Sequence, residues 1–155
     1  MAVIIKNIIL NAKLKKVWSF VTNPNNFSRY VFGYAGGKVR SKNKLGVGAK
    51  YEWYGKIGPF KLKSLEEIIT WKNNSYVAYH GKLFGITFDS SIAMKKEKFN
   101  KTVLIVSIRY KVPLLLGGRI TDWLFVKNIV ERCIIYSLYQ IRSKFRNNQP
   151  KKIKL

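Results

Sequence analysis

The sequence holds one histidine, His80, and one cysteine, Cys133, and this scarcity bounds the chemistry the chain can perform. A Ser-His-Asp triad would have to form around His80, and no G-x-S-x-G elbow accompanies it. On a strand beside Tyr79, a hydrogen-bonded structural imidazole is the simpler reading. Metal sites need several convergent ligands, and one His, one Cys and dispersed carboxylates supply no recognisable set, so neither a metal nor another cofactor is expected. A lone cysteine precludes an intrachain disulfide. Glu66 and Glu67 are adjacent on a β-prone run, which sends them to opposite faces and prevents them acting as a paired acid and base. One of the two must point to the covered face, where it either orients a polar group of a ligand or pairs with a neighbouring base. Asp89 falls on the polar side of its strand, in solvent. Cys133 and Ser137 lie one helical turn apart beside Val130 and Ile134. They offer weakly polar contacts, but a core cysteine usually behaves as an inert small hydrophobe. Gly36-Gly37, Gly117-Gly118 and the Gly-Val-Gly at 46–48 lack the spacing and the Lys-Ser/Thr of a phosphate-binding loop and read as turns. No residue is assigned a catalytic role.

The better-defined constellation is apolar. Tyr51 and Trp53 on one strand, Phe88, Ile92 and Met94 on another, Val106, Ile108 and Tyr110 on the last strand, and Trp123, Val130 and Ile134 on the final helix converge on one interior. Each stripe alone is what a core requires. Together, large aromatics with polar tips around an apolar space are also what a hydrophobic-ligand pocket requires.

Periodicity defines the elements that position these side chains. Residues 2–10 are β-prone, and Asn11 is a credible N-cap for a helix carrying Leu14, Val17, Trp18 and Val21 at the i, i+3, i+4, i+7 spacing, with Lys13, Lys15 and Lys16 facing away. Asn23-Pro24 ends that helix and starts a second short one through about Arg29. From Tyr30 to Val112 the period is two, with breaks at Gly36-Gly37, 46–48, Gly58-Pro59, Asn73-Asn74, 81–85 and Asn100, as in an antiparallel meander with one apolar face. After Pro113 and Gly117-Gly118, residues 118–146 read as one helix with Ile120, Trp123, Leu124, Val130, Ile134, Leu138, Ile141 and Phe145 on one broad side. At about 1.5 Å per residue it spans roughly 40 Å, enough to cross a sheet. The fold class is therefore α+β: a curved antiparallel sheet of six to seven strands wrapped around a long C-terminal α-helix, with two short helices after the first strand. One domain covers 1–147, and 148–155 forms a basic tail without a packing pattern. Between a curved sheet and its helix a cavity is expected.

Composition sets the remaining limits. Hydrophobic residues make up 47% of the 155, and 30 Lys and Arg against 7 Asp and Glu give a net charge of +23. The apolar start is broken by Lys6 and Asn7, and the most apolar later stretch contains Lys127, Glu131 and Arg132. Neither a signal peptide nor a membrane span is expected, which points to a cytoplasmic protein. The charge favours a polyanionic partner, either nucleic acid or an anionic membrane surface. The bases recur in "KVRSKNK", "KKEKFNK" and "PKKIKL" without forming one block, so a lysine-rich solvated surface is the alternative.

Asn11-Ala12-Lys13 leading to Val17-Trp18, then Asn23-Pro24-Asn25-Asn26-Phe27 and Tyr30, resemble the "DAP…VW", "DP" and following aromatic of the START/polyketide-cyclase superfamily (SRPBCC proteins). "LGVGAKY" at 45–51 looks like that family's glycine entry to the third strand, and "LGGRITDWL" like the approach to its last helix. The likeness covers about residues 2–146, with Lys13 where proline is usual and Asn11 where aspartate is usual. It implies the helix-grip fold and, as function, binding or transport of a lipid-like or polyketide-like small molecule. A metal-free cyclase, aromatase or dehydrase is the alternative, and polyanion binding through the basic surface a second. Fold does not choose among them.

Overall fold

The computed structural model describes residues 1–146; the expected basic tail, 148–155, lies outside the described residues. The strands are β1 (Ala2–Leu10), β2 (Tyr34–Val39), β3 (Lys50–Ile57), β4 (Phe60–Lys72), β5 (Tyr76–Leu83), β6 (Ile86–Glu97) and β7 (Lys101–Tyr110). They form one antiparallel sheet in the order β1-β7-β6-β5-β4-β3-β2. With the 29-residue helix of 118–146 this is the helix-grip α+β arrangement. Antiparallel pairing gives the sheet two ends built from different loops. One end carries residues 11–13 and the loops 40–49, 73–75 and 98–100; the other carries Met1, the turns at 58–59 and 84–85, and the segment that follows β7.

The first end is closed. Helix α1 (Leu14–Val21) buries Val17, Trp18 and Val21, the stripe expected from its spacing, and the Trp18 ring meets Trp71 edge-on at 5.2 Å. Phe145, in the last turn of the long helix, meets Phe20 edge-on at 5.6 Å. Around them Leu10, Ile68, Val77 and Leu104 are sealed from solvent. Asn11 is not the cap of α1: the N-cap is Lys13, whose side chain makes no capping bond. The buried Thr102 hydroxyl donates to the Ala12 carbonyl at 2.8 Å, which anchors the chain before the helix starts. The second short helix is a 3₁₀ turn, Pro24–Arg29, capped as expected by the Asn23 side chain, which accepts from the Asn25 N–H at 3.0 Å.

Two expected breaks are strand instead. Gly36-Gly37 lies inside β2, with a bulge between Tyr34 and Gly36, and Gly81 lies inside β5. Both glycines are there to admit a ring: a Cβ on Gly37 would stand 2.2 Å from the Trp53 Cε3, and one on Gly81 2.4 Å from the Phe88 Cζ. The long helix runs unbroken from 118 to 146, but Asp122–Val126 is a π turn between α-helical Gly118–Thr121 and Lys127–Arg146. A π turn inserts a residue into the 3.6 repeat, rotating what precedes it by about 100°. Ile120, Trp123 and Leu124 therefore leave the stripe and stand exposed, whereas Ile134, Leu138, Ile141 and Phe145 are buried. Residues 127–146 pack chiefly along β1, reinforced by a salt bridge from Lys6 to Glu131.

Candidate functional site

Register aligns the inward side chains in rows across the sheet. Tyr51, Glu66, Gly81, Phe88 and Tyr110 are successive partners on β3 to β7, and the next row holds Tyr79, Ser90 and Ile108. On β6 and β7, Phe88, Ile92, Val106 and Ile108 form an apolar floor. One wall is the long helix, with Val126, Val130 and Ile134. The other is the 3₁₀ turn, whose Phe27 packs on Trp53 at 4.8 Å and on Tyr30 at 5.7 Å. Trp53, Phe88, Ile92, Val106, Ile108 and Val130 face this interior yet are only partly buried. These side chains thus leave a shallow, partly open groove rather than the enclosed cavity expected: the long helix packs chiefly along β1, while inward residues of β4 to β6 such as Ile68, Val77, Tyr79 and Met94 are buried.

Polar groups gather at one side of the groove. Glu66 points inward and Glu67 outward, where Lys50 Nζ lies 3.5 Å from it. No base reaches Glu66 among the described residues. The Ser64 hydroxyl donates to its Oε1 at 3.0 Å. Burial pushes the Glu66 carboxyl above the usual range, against the opposing hydrogen bonds of Ser64 and Trp53. The neighbouring phenols of Tyr30 and Tyr79 are raised as well, by burial first and by the Glu66 charge among lesser causes. Tyr30 donates to the Val21 carbonyl at 2.6 Å, whereas among the described residues no protein group hydrogen-bonds the Tyr79 hydroxyl. A carboxyl inclined to keep its proton beside a phenol with spare capacity can donate to, or accept from, a carbonyl or hydroxyl. The same pair can exchange a proton with it.

The expected residues divide into three groups. Trp53, Phe88, Ile92, Val106, Ile108 and Val130 line the groove. Tyr51, Met94, Tyr110 and Ile134 are inward but buried as core; Tyr51 stacks on Trp53 at 4.9 Å, burial pushes its phenol up to about 12, and the Tyr110 hydroxyl donates to Asp122 Oδ1 at 2.7 Å. Trp123 does not belong: it is 74% exposed, turned out by the π turn, and borders a separate hollow of about 290 Å³ with Met1, Arg119 and Lys127. Another hollow, about 550 Å³, lies outside the closed end between Lys13, Lys16, Phe99 and Lys101. Sequence reasoning omitted Tyr30 and Tyr79 from the site and left Glu66 undecided. The period-two order 64, 66, 68 and 77, 79, 81 carried the signal that places Glu66 and Tyr79 inward.

The remaining candidates lie elsewhere. His80 is on the outer face, its Nδ1 2.7 Å from Asp89 Oδ1, with both side chains about half exposed. Cys133 is partly buried, and burial raises its thiol above the ordinary value; the Ser137 hydroxyl donates to its carbonyl at 2.9 Å. The most buried carboxylate, Glu52, is on the outer face, held 2.8 Å from the Arg40 guanidinium, whose hydrogen bond lowers its pKa. Among the described residues no three His, Cys, Asp or Glu side chains cluster, and no helix is long and apolar enough to cross a membrane.

The fold defines the structural class: it is the helix-grip fold, shared with solved structures that include a START superfamily protein and a di-domain ARO/CYC protein. Over 95% of this chain and 99% of its own, a START superfamily protein from Mycobacterium smegmatis superposes with a TM-score of 0.77 at 11% identity. A conserved protein from Geobacillus kaustophilus gives 0.78 at 14% identity, covering 94% of this chain and 96% of its own. The di-domain ARO/CYC protein BexL of the BE-7585A biosynthetic pathway gives 0.75 at 8% identity, 96% of this chain matching 48% of that one. At such identities the likeness is one of fold. No family model and no curated protein matches the sequence.

Proposed function

We propose that the groove binds a hydrophobic small molecule bearing one hydrogen-bonding group, as a carrier or sensor. One observation carries the reading: in the middle of a sheet, on the face that packs against helices, apolar side chains are left partly uncovered beside Glu66 and Tyr79. Burying such a surface under an apolar ligand is favourable at about 25 cal/mol per Å², and a carbonyl or hydroxyl of the ligand would satisfy the Tyr79 hydroxyl. The test is native mass spectrometry of the purified protein, followed by titration with a fluorescent fatty-acyl probe. A retained small molecule, or saturable probe binding weakened by Val106→Trp, is expected. An empty protein that binds the probe no better than Val106→Trp does would refute the proposal.

A second reading, a proton-transferring enzyme of the cyclase type, is favoured by the meeting of Glu66 with Tyr30 and Tyr79. It predicts that Glu66→Gln keeps ligand affinity and loses turnover, whereas a carrier has no turnover to lose. The basic residues are spread over both ends and the outer face, which supports a nucleic-acid interface less well than one basic face would.

A further inference from the structure

We infer that the open end of the sheet is a docking surface for an anionic lipid bilayer. Three separate segments bring exposed apolar side chains to this end: Phe60 at the β3–β4 turn, Phe84 at the β5–β6 turn, and Leu114, Leu115, Ile120 and Trp123 after β7. Leu114 and Leu115 are 90% and 96% exposed, as far from packing as a side chain can be. Soluble proteins seldom expose so many large apolar side chains at one end of a sheet without a partner for them. The backbone under the leucines bonds to itself, Leu116 N–H to the Pro113 carbonyl at 3.0 Å and Gly117 N–H to that of Leu114 at 2.9 Å, so the tip can leave water with fewer orphaned polar groups.

Charge selects the partner. Lys56, Lys61, Lys82, Lys111 and Arg119 flank the cluster and are exposed. Across residues 55–62, 82–87 and 109–124 the one acid is Asp122, engaged by Tyr110. An apolar tip inside a basic collar matches acyl chains beneath anionic headgroups. Nucleic acid offers the leucines no apolar phase. A second copy of the chain would set +23 against +23. The surface lies outside the groove and stands whether or not the groove is filled.

The test is sedimentation with vesicles of phosphatidylcholine alone and with phosphatidylserine added, combined with quenching of tryptophan by lipids brominated on the acyl chain. Wild type should sediment with the anionic vesicles, and brominated lipid should quench fluorescence that Trp123→Phe removes. Leu114→Ser and Leu115→Ser should each weaken binding about tenfold or more, with melting temperature and fatty-acyl probe binding unchanged. Quenching is read on wild type, so it does not depend on any variant folding. Binding to anionic vesicles that ignores both leucines and shows no quenching would reduce the attraction to surface charge and overturn the inference. So would binding to duplex DNA or RNA with none to vesicles.

Discussion

Both ends of the sheet carry apolar side chains, and they differ in whether a helix stripe is buried there, since Phe99 and Val47 in the loops of the closed end are exposed too. At the closed end, Val17, Trp18 and Val21 of α1 and Phe145 of the long helix find partners and are sealed. At the open end, Leu114, Leu115, Ile120 and Trp123 find none, and the floor residues Phe88 and Ile108 are partly rather than fully buried. The difference is one of geometry rather than composition. The long helix packs chiefly along β1, and the π turn at Asp122–Val126 turns its first residues out of the buried stripe. Burial is thus densest where the α1 stripe docks, and the proposed binding surfaces lie where it does not.

The sharpest way to break this contrast is to truncate one aromatic or leucine at each end. Trp18→Ala should cost about 3–5 kcal/mol in denaturant unfolding, as removal of a buried aromatic does. Leu115→Ala should stay within about 0.5 kcal/mol, as exposed positions do. Comparable losses at the two ends would show that the open end is packed after all.

The glycines beneath the two inward rings refine the same contrast. Gly37→Ala drives a methyl into Trp53, which Phe27 and Tyr51 pin in place, and should cost about 1–3 kcal/mol by overpacking. Gly81→Ala drives its methyl into Phe88, whose ring can swing into the groove, so the stability loss should be smaller and the probe affinity lower. Equal stability losses with unchanged affinity would mean that the groove is not open beside Phe88.

The smallest effect concerns pH. Folding raises the Glu66 carboxyl above its reference value of 4.5, so the folded state holds that proton more tightly than the unfolded one. Its contribution to stability is complete below about pH 4.5 and is lost as pH rises through the folded value. Glu66→Gln should remove that part of the decline in unfolding free energy as pH rises above about 4.5, and an unaltered profile would place the carboxyl in solvent.

Particular residues show what the sequence could disclose. The α1 stripe and the β6–β7 alternation were legible because local periodicity and tertiary burial agree there. Trp123 misled because a 3.6-residue repeat is assumed in any helical reading, and a π turn leaves no mark in hydrophobicity. Asn11 misled because a long-range bond from Thr102 sets the chain entry. Gly37 read as a turn because nothing local announces the ring of Trp53 above it. Tyr79 and Glu66 stood at inward positions of the period-two pattern, but only the fold shows that no base answers the carboxylate.

The most direct measurement of the central claim is a methyl-resolved NMR titration with a medium-chain fatty acid. Binding in the open groove predicts saturable shifts at Ile92, Val106, Ile108 and Val130, with Val17, Val21 and Leu104 still. Shifts centred on the closed end, or none at the groove methyls at saturating ligand, would contradict it.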